Sequence, residues 1–390
     1  MDHQRLHEAA VKAPSPCFLI DEAKLEQNLA ILSQVQRLAD VRILLALKAY
    51  ALWKTFPLIS STLSGACAGS LFEAHLAREE FGKVVHTYAP AFRDEEIQQI
   101  LRDSDCIIFN SLQQLEHFRT VFVKSHLDVG IRVNPEVRTP GVKYEAYNPC
   151  ARYSRLGITV DQLNGADLSG VTGFHVHALC EQGADAFEVL LDKFESSFGQ
   201  FLPGLRWVNF GGGHLITEDT YDRARLVQLL RRFRARHPNI RCIYLEPGEA
   251  VVLNAGYLVT KVLDIVQNEK NIAVLDISAE SHLLDVLLTR HEPAPYLPNI
   301  IGAGPIGEFK HAYILSGSSC AAGDVIGEYS FPRPLQVGER LIFTDMAHYS
   351  MVKASMFCGV APPSIALLSK DGSISPLRSF TYMDYLSRLC

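Results

Sequence analysis

Ile43-Leu44-Leu45-Ala46-Leu47-Lys48 is a short apolar run closed by a cation, and it reads as a buried strand. Runs of the same kind recur at 63–67, 84–88, 106–109, 129–133, 171–177, 206–210 and 242–246. Between most of them lie stretches with helical spacing, such as Leu71-Phe72-Glu73-Ala74-His75-Leu76-Ala77 and Glu95-Glu96-Ile97-Gln98-Gln99-Ile100-Leu101. Eight strands alternating with helices predict an α/β fold of the (β/α)₈ TIM-like barrel type. The run 63–67 is the weakest of the eight. The connection 134–170 is long for a barrel loop, which predicts a functional role or an extra element there.

The rhythm changes near residue 257. Leu258–Val266, Ala273–Ser278, His311–Gly317, Asp324–Tyr329 and Leu341–Met346 read as strands with few helices between them. They predict a second, mainly antiparallel β domain. Pro16-Cys17-Phe18-Leu19-Ile20 is a short strand that can join it. The expected division is therefore a barrel over 28–257 and a β domain formed by 1–27 and 258–390.

Composition bounds the function. Of 390 residues, 48% are hydrophobic and 21% charged, and the net charge is −6 without a long basic block. That disfavours nucleic acid or an anionic membrane as the main partner. It is compatible with a small cationic substrate. Nine cysteines without CxxC pairs, several inside apolar runs, point to a reducing compartment, so a cytoplasmic location is expected. The polar start Met1-Asp2-His3-Gln4-Arg5 reads as no signal peptide, and no apolar stretch is long enough for a membrane span.

In such a barrel the chemistry sits at the C-terminal ends of the strands. The polar residues there are Lys48, Arg132, His175 with His177, Asn209 leading into Gly211-Gly212-Gly213, and Glu246. A lysine is the side chain whose amine is readily freed for attack on a carbonyl; equally, Lys48 can reach solvent past its strand. Three glycines can cradle a phosphate or simply make a tight turn. Glu246 can hold a protonated ring nitrogen or serve as a helix-start acid. His175 and His177 alternate along one strand and would share a face. That pattern suits a zinc hydrolase, a histidine stacked on a flat cofactor, or a satisfied core histidine. Cys320, among small residues, can be a proton donor or an inert thiol.

Taken in order, these residues resemble the fold-type III pyridoxal-phosphate decarboxylases. That group includes ornithine, arginine and diaminopimelate decarboxylases and has alanine racemase as its barrel relative. The resemblance runs from Ser15-Pro16-Cys17-Phe18 to Ala347-His348-Tyr349-Ser350. It implies pyridoxal 5′-phosphate as cofactor and a homodimer with shared active sites. Lys48 matches the Schiff-base lysine, His175 the histidine stacked on the ring, and Gly211, Gly212 and Gly213 the phosphate glycines. Glu246 matches the acid on the ring nitrogen, Tyr349 the tyrosine near the phosphate, and Arg132 an active-site arginine. Cys320 matches the cysteine that reaches across the dimer interface and reprotonates the intermediate.

The departures narrow the group. Ornithine decarboxylases have Asp after the cysteine and diaminopimelate decarboxylases Glu; here it is Ala321. The latter also end Glu-Pro-Gly in Arg, where this chain has Glu249. An anion in place of a cation favours a substrate with extra amines over one with a second carboxylate. The motifs around Gly211, around Glu249 and at His282-x-x-Asp285 look like those of carboxynorspermidine (carboxyspermidine) decarboxylases. The resemblance thus implies a small, cationic, carboxylated polyamine as substrate. Its amines would meet Glu249 and Asp285, with Asp324 and Glu181 as further candidates. Diaminopimelate or another basic amino acid is the alternative substrate.

Overall fold

The computed structural model describes residues 3–390. They form two compact units, one of Gln27–Val251 and one of the remaining described residues. The first strand, β1 (Cys17–Asp21), belongs to the second unit. The next eight are β2 (Arg42–Ala46), β3 (Gly65–Ala68), β4 (Val84–Tyr88), β5 (Cys106–Phe109), β6 (Asp128–Arg132), β7 (Gly173–His175), β8 (Trp207–Asn209) and β9 (Cys242–Leu245). Each pairs in parallel with the next, and β9 closes on β2. The (β/α)₈ barrel read from the sequence is present.

The helices bury one face each, as their spacing requires. The helix Ala184–Phe198 buries Phe187, Leu190, Leu191, Phe194 and Phe198. The helix Arg223–Arg236 starts where the Asp222 side chain accepts from the Arg225 N–H, and it buries Leu226, Leu229, Leu230 and Phe233. Phe194 and Phe233 meet Phe210 edge to face, with ring centroids 5.4 and 5.2 Å away.

The barrel interior is filled, not hollow. Leu44, Cys106, Ile108, Trp207 and Tyr244 form one buried cluster. The Trp207 indole lies against Gly130 and Gly173, where a Cβ would overlap it. Its Nε1–H donates to Thr172 Oγ1 at 3.0 Å. Trp207 is the first residue of its strand, so its indole fills the barrel towards the end opposite the strand C-termini. The long 134–170 connection carries extra elements, a 3₁₀ turn at Glu145–Tyr147 and a short helix at Val160–Leu163. The Asn134 N–H ties it back by donating to the Ile158 carbonyl at 2.8 Å.

The second unit is a mixed, mostly antiparallel sheet. After β10 (Gly256–Asn268) come β11 (Lys270–Leu275), β12 (His311–Ser316), β13 (Val325–Phe331), β14 (Arg340–Thr344), β15 (Ser364–Leu368) and β16 (Ile374–Arg378). The order is β13-β12-β11-β10-β1-β15-β16, with β14 also on β10. Side chains alternate across it. Phe18 and Leu258 enter one buried cluster with Leu275, Leu315 and Phe343. Cys17, Leu19, Tyr257 and Val259 enter another with Leu6 and Ala9 of the first helix. The sequence reading missed β15 and β16. Pro376 interrupts β16, which is tolerated because that strand lies at the sheet edge. Among the described residues no helix is long and apolar enough to cross a membrane.

Candidate active site

The parallel strands deliver their last residues to one end of the barrel. Lys48 sits in the tight turn after β2, where the Ala49 and Tyr50 N–H groups donate to the Ala46 carbonyl at 3.0 and 3.2 Å. Its backbone neighbours Leu47 and Ala49 are buried, but its own side chain is exposed. The expectation of a cation closing a buried strand is corrected here. The strand ends at Ala46, and the turn carries the amine out of the apolar layer.

Glu246 follows β9 and is largely buried. Its Oε1 accepts from Asn209 Nδ2 at 2.7 Å and its Oε2 lies 3.3 Å from His175 Nε2. Burial alone would raise its pKa. The opposing pull of His175 and His86 and the bond from Asn209 hold it well below the usual carboxylate range. His175 is itself lowered, first by burial and against the pull of Glu246, so it stays neutral near pH 7. A neutral imidazole bonded to an ionised carboxylate donates through Nε2–H, which leaves Nδ1 as the acceptor. That buried Nδ1 has no partner.

His177 lies beyond the end of β7 and is half-buried. Its Nδ1 accepts from the Gly212 N–H at 3.1 Å. Burial, followed by the charges of Lys48 and Arg132, pushes its pKa well below the ordinary range. The shared face expected for His175 and His177 requires one continuous strand, but β7 stops at His175. His175 has its side chain 3% exposed and is bonded to Glu246. His177 is the imidazole that reaches the mouth. The two do not converge on a metal, and among the described residues no group of three ligating side chains does.

Arg132 ends β6 and is buried. Its Nη2 donates to the His177 carbonyl at 3.1 Å, and its guanidinium lies over the Tyr88 ring at 4.7 Å. Tyr88 in turn meets the His175 ring at 5.4 Å and donates its hydroxyl to Asn110 Oδ1 at 2.8 Å. Tyr88 and Asn110 were not picked out from sequence, because an aromatic and an amide at strand ends carry no signature of their own.

The glycines are required by close chain approach. A Cβ on Gly212 would overlap the Glu246 carbonyl, and one on Gly213 the Leu179 carbonyl. Gly211 and Gly213 have φ of 68° and 83°. The Gly211 N–H already donates to Asn209 Oδ1 at 2.9 Å, so it and Gly212 are engaged inside the protein.

Two further acids stand at the same end. Glu249 is half-buried in the first turn of the short helix Gly248–Val252. Glu181 pairs with Lys143 at 2.9 Å. Against the cost of its own burial, Lys143 is raised by Glu181 and also by Glu249, so both acids act on one lysine of the long connection.

In the sheet unit, Cys320 is exposed on the loop between β12 and β13. Asp324 is buried beneath that loop. It accepts from the Ala279 N–H at 2.7 Å and the Ser319 N–H at 3.0 Å, and a Cβ on Gly317 would overlap it. Asp324 is therefore corrected from a substrate acid to the internal clasp of the Cys320 loop. Asp285 pairs with Lys353 at 2.6 Å, and Lys353 lies 5.0 Å over the half-buried Tyr349 ring. His282 of the same motif is buried, and its Nδ1 accepts from the Ser278 N–H at 3.1 Å.

A family model described as pyridoxal-dependent decarboxylase, C-terminal sheet domain, matches residues 17–347. The chain belongs to the pyridoxal-dependent decarboxylases. A carboxyaminopropylagmatine decarboxylase of Synechocystis is 44% identical, covering 96% of this chain and 95% of its own. A carboxynorspermidine/carboxyspermidine decarboxylase of Campylobacter jejuni is 39% identical, covering 97% and 99%. The crystal structure of a Campylobacter jejuni carboxynorspermidine decarboxylase complexed with norspermidine superposes with a TM-score of 0.87 at 38% identity, covering 96% and 99%. As a pyridoxal-dependent decarboxylase, the protein is a carboxy-lyase, and its family implies pyridoxal phosphate. The site suits that group. Glu246 is an ionised, largely buried carboxylate whose two bonded partners are neutral donors, so its charge lacks a compensating cation. A protonated ring nitrogen would supply one.

Proposed function

We propose that the protein removes the α-carboxylate of a carboxylated polyamine. The observation that carries this is Glu249. It stands three residues after Glu246, where diaminopimelate decarboxylases carry arginine, and with Glu181 it places two acids around Lys143 in this part of the mouth. An ammonium held there by a desolvated carboxylate gains about 1.5–3 kcal/mol, or one to two decades of discrimination. Asp285 is a further amine contact, shared with Lys353. The named relatives act on substrates of this class.

When bound, pyridoxal phosphate supplies an electron sink for the electrons left as CO₂ departs. The protein's residues do the rest. Lys48 offers the amine that holds the cofactor aldehyde. Glu246 keeps the ring nitrogen protonated, with Asn209 and His175 fixing its oxygens. We assign ring stacking to His175, which lies beside Glu246, with His177 next to it at the mouth. The loop 211–213, with two of its N–H groups bonded to Asn209 and His177, shapes the close approach to the phosphate, Tyr349 is a further phosphate contact, and Arg132 braces the wall through Tyr88. Cys320 hands its Sγ proton to the carbon that lost CO₂. We further propose a homodimer that shares these groups, which sedimentation tests, and a cytoplasmic enzyme, in keeping with nine free cysteines and testable by cell fractionation.

A second reading is a substrate ending in a guanidinium, favoured by the relative at 44% identity. Turnover of carboxyspermidine, carboxynorspermidine, carboxyaminopropylagmatine and meso-diaminopimelate separates these. Preference for the last overturns the polyamine reading. Borohydride reduction followed by peptide mapping is expected to leave a pyridoxyl label on Lys48; a label elsewhere removes Lys48 from its role.

A further inference from the structure

Cys320 has an unusual neighbour. The Sγ atoms of Cys320 and Cys358 are 3.6 Å apart, and both residues are exposed. A disulfide needs about 2.05 Å, so the two sulfurs must close by about 1.5 Å. Neither residue is in a strand. Cys320 lies on the loop clasped by Asp324, and Cys358 is in a single 3₁₀ turn with φ of 54°. Left-handed backbone is rare for a residue with a Cβ, so the fold holds Cys358 in a costly conformation beside Cys320. The Cys358 thiol is pushed up chiefly by its hydrogen bond to Cys320. The other cysteines offer no such arrangement: six are buried or half-buried, and Cys390 is the last residue of the chain.

We propose that Cys320 and Cys358 are a redox modification site, a dithiol that hydrogen peroxide converts to a reversible disulfide, withholding the Cys320 proton from the reaction. One thiol attacks the peroxide O–O bond, giving a sulfenic acid and one water. The second thiol then attacks that sulfur. The S–S bond forms, the S–O bond breaks, and the oxygen leaves as a second water with the thiol proton. Two electrons pass from the sulfurs to the peroxide. A dithiol reductant reverses the change by exchange. The loss of activity, though not the disulfide itself, rests on the proton-donor reading of Cys320.

The test treats holoenzyme with hydrogen peroxide and follows decarboxylation beside non-reducing peptide mapping. The expected result is a Cys320–Cys358 linked peptide within one chain, activity falling at least tenfold as it accumulates, and recovery with dithiothreitol. Cys358→Ser is expected to keep turnover within about threefold before oxidation and to lose the dithiothreitol-reversible part of inactivation; Cys358→Ala is the second variant should the first fold poorly. Oxidised protein with either thiol unlinked, or with links to other cysteines, overturns the proposal. A linked pair with full activity overturns the switch. Cys320→Ala distinguishes the two readings. If that variant is fully active, the proton-donor role has failed, while mapping still decides whether the pair forms.

Discussion

Glu246 bears a charge surrounded by neutral donors, and that asymmetry makes it the most informative single residue. Glu246→Gln preserves shape but removes the anion. A charged hydrogen bond is worth about 1.5–3 kcal/mol, so kcat is expected to fall about ten- to a hundredfold with the fold intact. Steady-state kinetics beside circular dichroism check this, and unchanged kcat would remove the ring nitrogen from its care. Asp324 makes the opposite prediction. Asp324→Ala strands the N–H groups of Ala279 and Ser319, costing about 2–6 kcal/mol of stability, read as a lower urea midpoint. Lost activity with an unchanged midpoint would return Asp324 to the substrate. At this scale the sequence was partly legible. Strand-end position was enough to single out Lys48 and Glu246. Nothing in the order of residues revealed that Asp324 faces two backbone donors, or that β7 ends at His175 and leaves His177 outside the strand.

The elements explain that division. Eight apolar runs were visible because each buried strand excludes polar residues, but their ends were not. β7 closes two residues earlier than its apolar pattern. This alone broke the period-two argument that put two histidines on one face. β16 was hidden by its proline. The glycine loop is the element whose tolerance can be measured most directly. Gly212 does not need a positive φ, so Gly212→Ala isolates the steric overlap with the Glu246 carbonyl. Overpacking of this kind costs about 1–3 kcal/mol. A variant as stable as its parent in urea would show that the two strand ends are less tightly joined than described.

For the whole molecule, buried histidines set the response to acid. His86 and His282 are pushed down to about 4 and His214 to about 3, in each case by burial first. Unfolded, each titrates near 6.5. Between about pH 6.5 and 4 the unfolded chain therefore binds more protons than the native one, and stability is lost as pH falls. Each histidine contributes up to about 1.4 kcal/mol per pH unit in that window. The urea midpoint is expected to be flat above pH 7 and to drop steeply by pH 5.5; a flat profile throughout would mean these imidazoles accept protons while folded. At this scale the two β-rich patterns were legible because their rhythms differ. The fit of one side chain into the space left by two glycines was not.

That fit has a consequence for access. Trp207 turns the barrel into a cul-de-sac. Groups near Glu246 are therefore approached from the end where the strands finish and not along the barrel axis.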